Sequence, residues 1–177
     1  HLEKNTNEYI DNIDLMVDHQ KMMTIGISIS KKLDGSKLKQ EDVQFLIQEA
    51  KQQILKNYKD FNIVHVIIKD YKVDNTEYTF LPKEINCHLI SLDIIFICLP
   101  IEIIEYFKKV FLKLEISINQ VICSSYAKSI NYKEEFFLNK NVSFIDIGFK
   151  KTSIICYIEN KIISLDILPI GGNHITK

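Results

Sequence analysis

The sequence predicts a mixed chain, an α+β unit followed by an α/β unit, and three observations carry that reading. From about Asp18 to Ile97 the patterns run strand, helix, strand, strand. From Cys98 to Lys177 they run helix, strand, helix and three strands. Neither half contains a repeat or a low-complexity linker, so each order reads as one layered unit built around its own apolar faces. At 177 residues the chain is long enough to bury a substantial core.

The elements follow in order. Ile13–Val17 is a short strand. Met22–Ser30 is another, because Ile25, Ile27 and Ile29 alternate with Gly26, Ser28 and Ser30. A loop over Lys31–Lys39 contains Asp34-Gly35. Gln40–Tyr58 reads as a helix whose apolar face is Val43, Leu46, Ile47, Ala50, Ile54 and Leu55. Lys39 stands where a capping Ser or Thr is wanted, so that end is expected to fray. A strand near Ile63–Val73 follows, then an irregular polar stretch, Asp74–Asn86, and a strand at His88–Cys98. Pro100 suits the first turn of the next helix, in which Ile103, Ile104, Phe107, Val110, Phe111 and Leu114 recur at helical spacing. A strand around Gln120–Cys123 and a helix near Tyr126–Phe136 lead to three final strands. The last two, Ser153–Glu159 and Ile162–Leu168, form a hairpin through a tight Asn160-Lys161 turn.

Composition removes several classes of function. The formal net charge is −1, which gives no electrostatic reason to expect nucleic-acid binding. Every basic residue is lysine; arginine, the better bidentate reader of phosphate and carboxylate, is absent. A coding sequence rich in A and T accounts for that bias. Cys87, Cys98, Cys123 and Cys156 show no ligand or disulfide spacing and read as reduced thiols of a cytosolic protein. His1, His19, His65, His88 and His174 are scattered and read as structural or surface residues. The apolar run Leu89–Ile104 is interrupted by Asp93, Pro100 and Glu102 and falls short of the roughly 20 residues a membrane span needs. The chain begins at His1 and stops after a Gly-Gly turn, which reads as a piece of a longer protein.

The most telling segment is Val142–Thr176. A strand ends in Asp146-Ile147-Gly148 and turns toward Thr152. A glycine there lets backbone N–H groups approach an anion, and a hydroxyl adds a donor. The carboxylate of Asp146 can hold a metal-bound water. Together with the hairpin behind it, the segment resembles the second phosphate loop of the actin/Hsp70/sugar-kinase superfamily. Within that superfamily the chain is most similar to FtsA, the bacterial actin-like cell-division family. The resemblance also rests on Gln40-Glu41-Asp42-Val43, on Val64-His65-Val66-Ile67 with Asp70-Tyr71-Lys72-Val73-Asp74, on Ser125–Ser129, and on Gly171-Gly172-Asn173-His174-Ile175-Thr176.

The resemblance implies an actin-like fold with an inserted small α+β domain, 1C-like and of SHS2 type, over residues 18–97. Residues 1–17 would end the preceding actin-like segment, and 98–177 would belong to subdomain 1A with the second phosphate-loop hairpin. It implies ATP and Mg binding in the full-length protein through Asp146, Gly148, Thr152, Gly171 and Gly172, with no useful affinity in this chain alone. For Gly171 and Gly172 a plain hairpin-exit turn is the alternative. The family's loop reads Asp-Ile-Gly-Gly-Gly-Thr, whereas Phe149, Lys150 and Lys151 stand here. Side chains at those positions obstruct a cradle of backbone amides, although Lys150 or Lys151 could supply charge to a phosphate instead.

Further implications concern partners: self-assembly into a polymer, tethering of the tubulin-like FtsZ ring to the inner face of the cell membrane, and recruitment of later division proteins. The family's membrane helix lies at a far C-terminus outside this sequence. Tyr78, Phe80 and Pro82 in the Asp74–Asn86 stretch are candidate contact residues, although Lys83-Glu84 replace the small residues of the family's turn. No catalytic residue is expected, and at most weak ATPase activity in the full-length protein. A nucleotide-independent scaffold of the same fold and a sugar-kinase-type enzyme are the alternative readings.

Overall fold

A computed structural model describes residues 9–136 and 141–174. Among the described residues, nine strands and three α-helices are arranged around two apolar cores that share two strands. The elements are β1 (Asn12–Val17), β2 (Met23–Lys32), α1 (Gln40–Asn57), β3 (Phe61–Val73), β4 (Thr76–Tyr78) and β5 (Leu89–Pro100). They continue with α2 (Ile101–Leu112), β6 (Ser117–Cys123), α3 (Ser124–Phe136), β7 (Val142–Ile147), β8 (Thr152–Ile158) and β9 (Lys161–Leu168). A 3₁₀ turn, Gly172–His174, closes the described chain.

The strands form three sheets. β2-β5-β3-β4 is antiparallel throughout, β7-β8-β9 is an antiparallel meander, and β1 pairs in parallel with β6. β1 and β6 are neighbours in space although the whole four-stranded sheet and α1 lie between them in sequence.

β5 explains why two cores meet. Its early residues alternate, with Ile90, Leu92, Ile94, Phe96 and Cys98 turned toward α1. Val43, Leu46, Ala50 and Ile54 of α1 pack against them, which is the i, i+3, i+4 stripe expected of an amphipathic helix. From Phe96 onward every residue of β5 is buried, because the opposite face, Ile97 and Leu99, enters the second core. That core gathers Val17, Ile67, Ile104, Cys123, Ile155, Tyr157, Ile162 and Leu165 from both sides of the chain. A strand buried on both faces reads as a continuous apolar run, and Ile94–Leu99 is that run.

Several expectations change. Leu55 is 47 % exposed and leaves the apolar face of α1. Lys39 does not leave the helix end open: the Asp42 carboxylate accepts the Lys39 backbone N–H at 3.0 Å and pairs with Lys31 at 2.8 Å. Asp42 thus supplies the N3 half of a capping box. The Asp74–Asn86 stretch contains β4, and Asp74, at φ 52°, accepts the amides of His88 and Leu89, each at 2.9 Å. β5 runs on to Pro100, which caps α2 rather than opening its first turn. Val110 and Leu114 of the expected α2 face are exposed. The hairpin turn is Glu159–Asn160, one residue earlier than expected. Both residues have positive φ, 47° and 68°, as a two-residue turn matching the twist of its strands requires.

Candidate functional site

β7 and β8 are joined by Gly148–Lys151 with Phe149 and Lys150 at the tip, since Ile147 pairs with Thr152 and the Gly148 N–H donates to the Lys151 carbonyl at 2.8 Å. Alternation along β7 turns Val142, Phe144 and Asp146 inward and leaves Ile145 and Ile147 outward. Asp146 therefore faces α3, where its carboxylate meets Lys128 Nζ at 3.3 Å. The two line a small cavity of about 210 Å³ with Ser125, Ser129, Tyr132, Phe144 and Ile155.

The loop and the Gly171–His174 turn are pressed together through their backbones. Gly172 N–H donates to Gly148 O at 2.9 Å, and Asn173 N–H donates to Phe149 O at 3.0 Å. A Cβ on Gly171 would stand 2.5 Å from Gly148 O and 2.6 Å from the Phe149 carbonyl carbon, closer than any side chain tolerates, so position 171 needs glycine. Gly171 N–H is taken by His174 Nδ1 at 3.1 Å. Thr152 donates its hydroxyl to Ile170 O at 2.7 Å. Four of the expected site residues, Gly148, Thr152, Gly171 and Gly172, thus sit in one small constellation. Ile175 and Thr176 lie outside the described residues.

The two lysines diverge. Lys150 is exposed at the loop tip beside Phe149, which is 73 % exposed. Lys151 is only 3 % exposed and points inward. Its Nζ lies 2.6 Å from Asp18 Oδ1 and 2.9 Å from Ser125 Oγ, and it also donates to Ser153 Oγ. Burial pushes the Lys151 ammonium down to about 8. The outer side of the loop, with Asp18, His19 and Gln20, borders a cleft of about 350 Å³.

The Asp146 carboxylate is partly open, but a hydrated cation there would compete with the Lys128 ammonium that already pairs with it. The backbone cradle fits a phosphate only at a similar cost. The amides of Gly148, Gly171, Gly172 and Asn173 and the Thr152 hydroxyl all have internal acceptors, and each would have to exchange that bond for one to the anion. Among the described residues no cluster of His, Cys, Asp or Glu could hold a metal ion by itself.

Tyr78, Phe80 and Pro82 lie elsewhere. They line a broad cleft whose other wall is Tyr126, Lys133, Tyr157 and Lys161, and Phe80 is 82 % exposed at its edge. His65 is structural: its Nε2 accepts the Cys123 N–H at 2.8 Å, its ring packs edge-on to Tyr126, and burial lowers its pKa. Cys87, Cys98 and Cys123 are buried free thiols, and burial raises each pKa. Asp18, Ser125 and Ser153 were not among the sequence candidates. For Ser153 register parity was the available signal, because Lys151, Ser153, Ile155 and Tyr157 share one face of the hairpin.

The architecture is that of the actin-like fold. It covers 98 % of this chain and 47 % of a chain of a PilM-PilN type IV pilus biogenesis complex, with a TM-score of 0.65 at 9 % identity. In sequence the chain is FtsA-like. It is 28 % identical over 137 residues to the cell division protein FtsA of Buchnera aphidicola subsp. Schizaphis graminum, covering 77 % of this chain and 32 % of that protein. To the FtsA of Buchnera aphidicola subsp. Acyrthosiphon pisum it is 25 % identical over 181 residues, covering 96 % of this chain and 43 % of that protein. The chain therefore spans less than half the length of these curated relatives. No protein-family model matches it.

Proposed function

We propose that the protein containing this chain is an FtsA-like cell-division adaptor. It self-assembles, tethers the FtsZ ring to the inner face of the cytoplasmic membrane, and recruits later division proteins. The observation that carries the reading is FtsA similarity along most of the chain on an actin-like fold. In the full-length protein Asp146 would hold a metal-bound water, and Gly148, Thr152, Gly171 and Gly172 would meet the phosphates of ATP. Bound Mg-ATP would supply charge neutralisation and gate assembly. The chain's own residues set the geometry: Gly171 permits the close approach of the two turns, and Lys128 orients Asp146. The adaptor needs no catalytic residue and has at most weak ATPase activity.

A specific observation favours a second reading, a scaffold of the same fold that does without nucleotide. Phe149 and Lys150 occupy the loop tip, and the N–H groups of Gly148, Gly172 and Asn173 are bonded to carbonyls of the two turns. Calorimetric titration of Mg-ATP into the full-length protein, beside a Phe149→Gly, Lys150→Gly variant, separates the two. Micromolar binding by the parent supports the nucleotide-gated adaptor. Binding only by the double-glycine variant establishes the scaffold. ATP consumption that depends on an added sugar would overturn both in favour of a kinase.

A further inference from the structure

The feature that neither reading uses is the ammonium of Lys151. A lysine ammonium has three donors, and Lys151 directs them at three acceptors on three separate elements. Asp18 follows the last residue of β1, Ser125 lies in the first turn of α3, and Ser153 is the second residue of β8. The other Asp18 oxygen backs onto the loop, since a Cβ on Gly148 would stand 3.3 Å from Asp18 Oδ2. The Lys151 backbone is tied as well, its carbonyl accepting the Gly148 N–H. One residue therefore fixes the start and end of the loop, the end of β1 and the start of α3.

Such an arrangement is costly unless complete. A buried ammonium loses its hydration, and a nearby carboxylate with two hydroxyls restores it. The ammonium also sits by the first turn of α3, where the helix dipole is positive and favours anions. Asp18 is the group that makes this position tolerable. The charged groups facing the pair are few: Lys150 lies on the loop beyond it, and His19 adjoins Asp18 on the border of the same cleft.

We infer that Lys151 is a positioning residue, an internal cation that with Asp18 latches the β7–β8 loop to β1 and α3 so that the loop is set without any ligand. The latch is independent of nucleotide, and its tests are run without it. In the full-length protein, brief labelling with an amine-acylating reagent followed by peptide mass analysis should modify Lys150 at least about tenfold faster than Lys151, since access to a latched residue requires local opening. Equal rates would overturn the latch. Thermal unfolding of Asp18→Asn, Lys151→Met and the double variant tests the coupling. Asp18→Asn, which strands the ammonium, should be the most destabilised, and the double variant should recover at least half of that loss. Losses that simply add would overturn the inference. Where Asp18→Asn fails to fold, the labelling of the native protein decides alone.

Discussion

The α1 sheet and the β7–β9 meander are both antiparallel β-structures, yet they are held in different ways. In the first, apolar side chains on two facing elements do the work: Leu46, Ala50, Ile90, Leu92, Phe96 and Cys98 are wholly out of solvent. Its polar face is kept in order at the surface by Lys72, Asp93 and Ser28. The meander buries only one side, through Ile155, Tyr157, Ile162 and Leu165, while Ile145 and Ile147 on β7 remain 61 % and 62 % exposed. It is fastened to the rest by polar pins. Lys151 reaches Asp18 and Ser125, Lys161 pairs with buried Asp70 of β3, and Tyr157 shares a hydrogen bond of 2.9 Å with Ser129. One sheet is specified by volume, the other by a small number of directed contacts. The candidate site lies in the second.

That contrast can be broken or sharpened by substitution. Phe96→Ala should be the most damaging, costing about 3–5 kcal/mol by urea unfolding, because it empties the centre of a closed core. Lys161→Met should cost about 3 kcal/mol by leaving Asp70 buried without a partner, and Asp70→Asn added to it should restore much of the loss. A Phe96 variant offers no comparable rescue by one further polar change.

Stability should also depend on pH through Lys151. The Lys151 ammonium falls to about 8 in the folded state from 10.5, so the native protein releases that proton first and the unfolded chain binds more protons between those values. Stability contributed by position 151 therefore rises as pH climbs from about 8 to 10.5. Relative to Lys151→Met, the native protein should gain about 1–2 kcal/mol across that window, less than the whole shift because Asp18 favours the charged form. Denaturant midpoints at several pH values read it directly. Ile147→Ser should have the smallest effect, within about 0.5 kcal/mol of the parent in this chain, since its side chain is exposed.

Much of this was legible in the sequence. The alternation in β2, the 3.6 periodicity of α1 and the paired runs of the last hairpin each depend on local pattern, and these elements formed within a residue or two of where the pattern placed them. The departures arise where distant residues decide. β5 reaches Pro100 because Phe61 and Asn62 of β3 pair with its last residues, while Leu55 lies outside the stripe of Val43, Leu46, Ile47, Ala50 and Ile54 that packs on the sheet. The frayed helix start did not appear because Asp42, three residues on, replaced the missing cap.

At the site, sequence singled out Gly148, Gly171 and Gly172 as phosphate contacts, but it gave neither their packing against one another nor the direction of Lys151. Lysine is read as a surface residue by default, and only its parity with Ile155 and Tyr157 on β8 marks it as inward. Asp18, more than a hundred positions away, is unreachable by any local pattern.

The most direct test of the adaptor reading is co-sedimentation of the full-length protein with FtsZ polymers. More of the full-length protein should pellet with assembled FtsZ than sediments alone under the same conditions, to the same extent with or without Mg-ATP in the scaffold case and more strongly with Mg-ATP in the gated case. A protein that remains in the supernatant with FtsZ polymers under both conditions would contradict that reading.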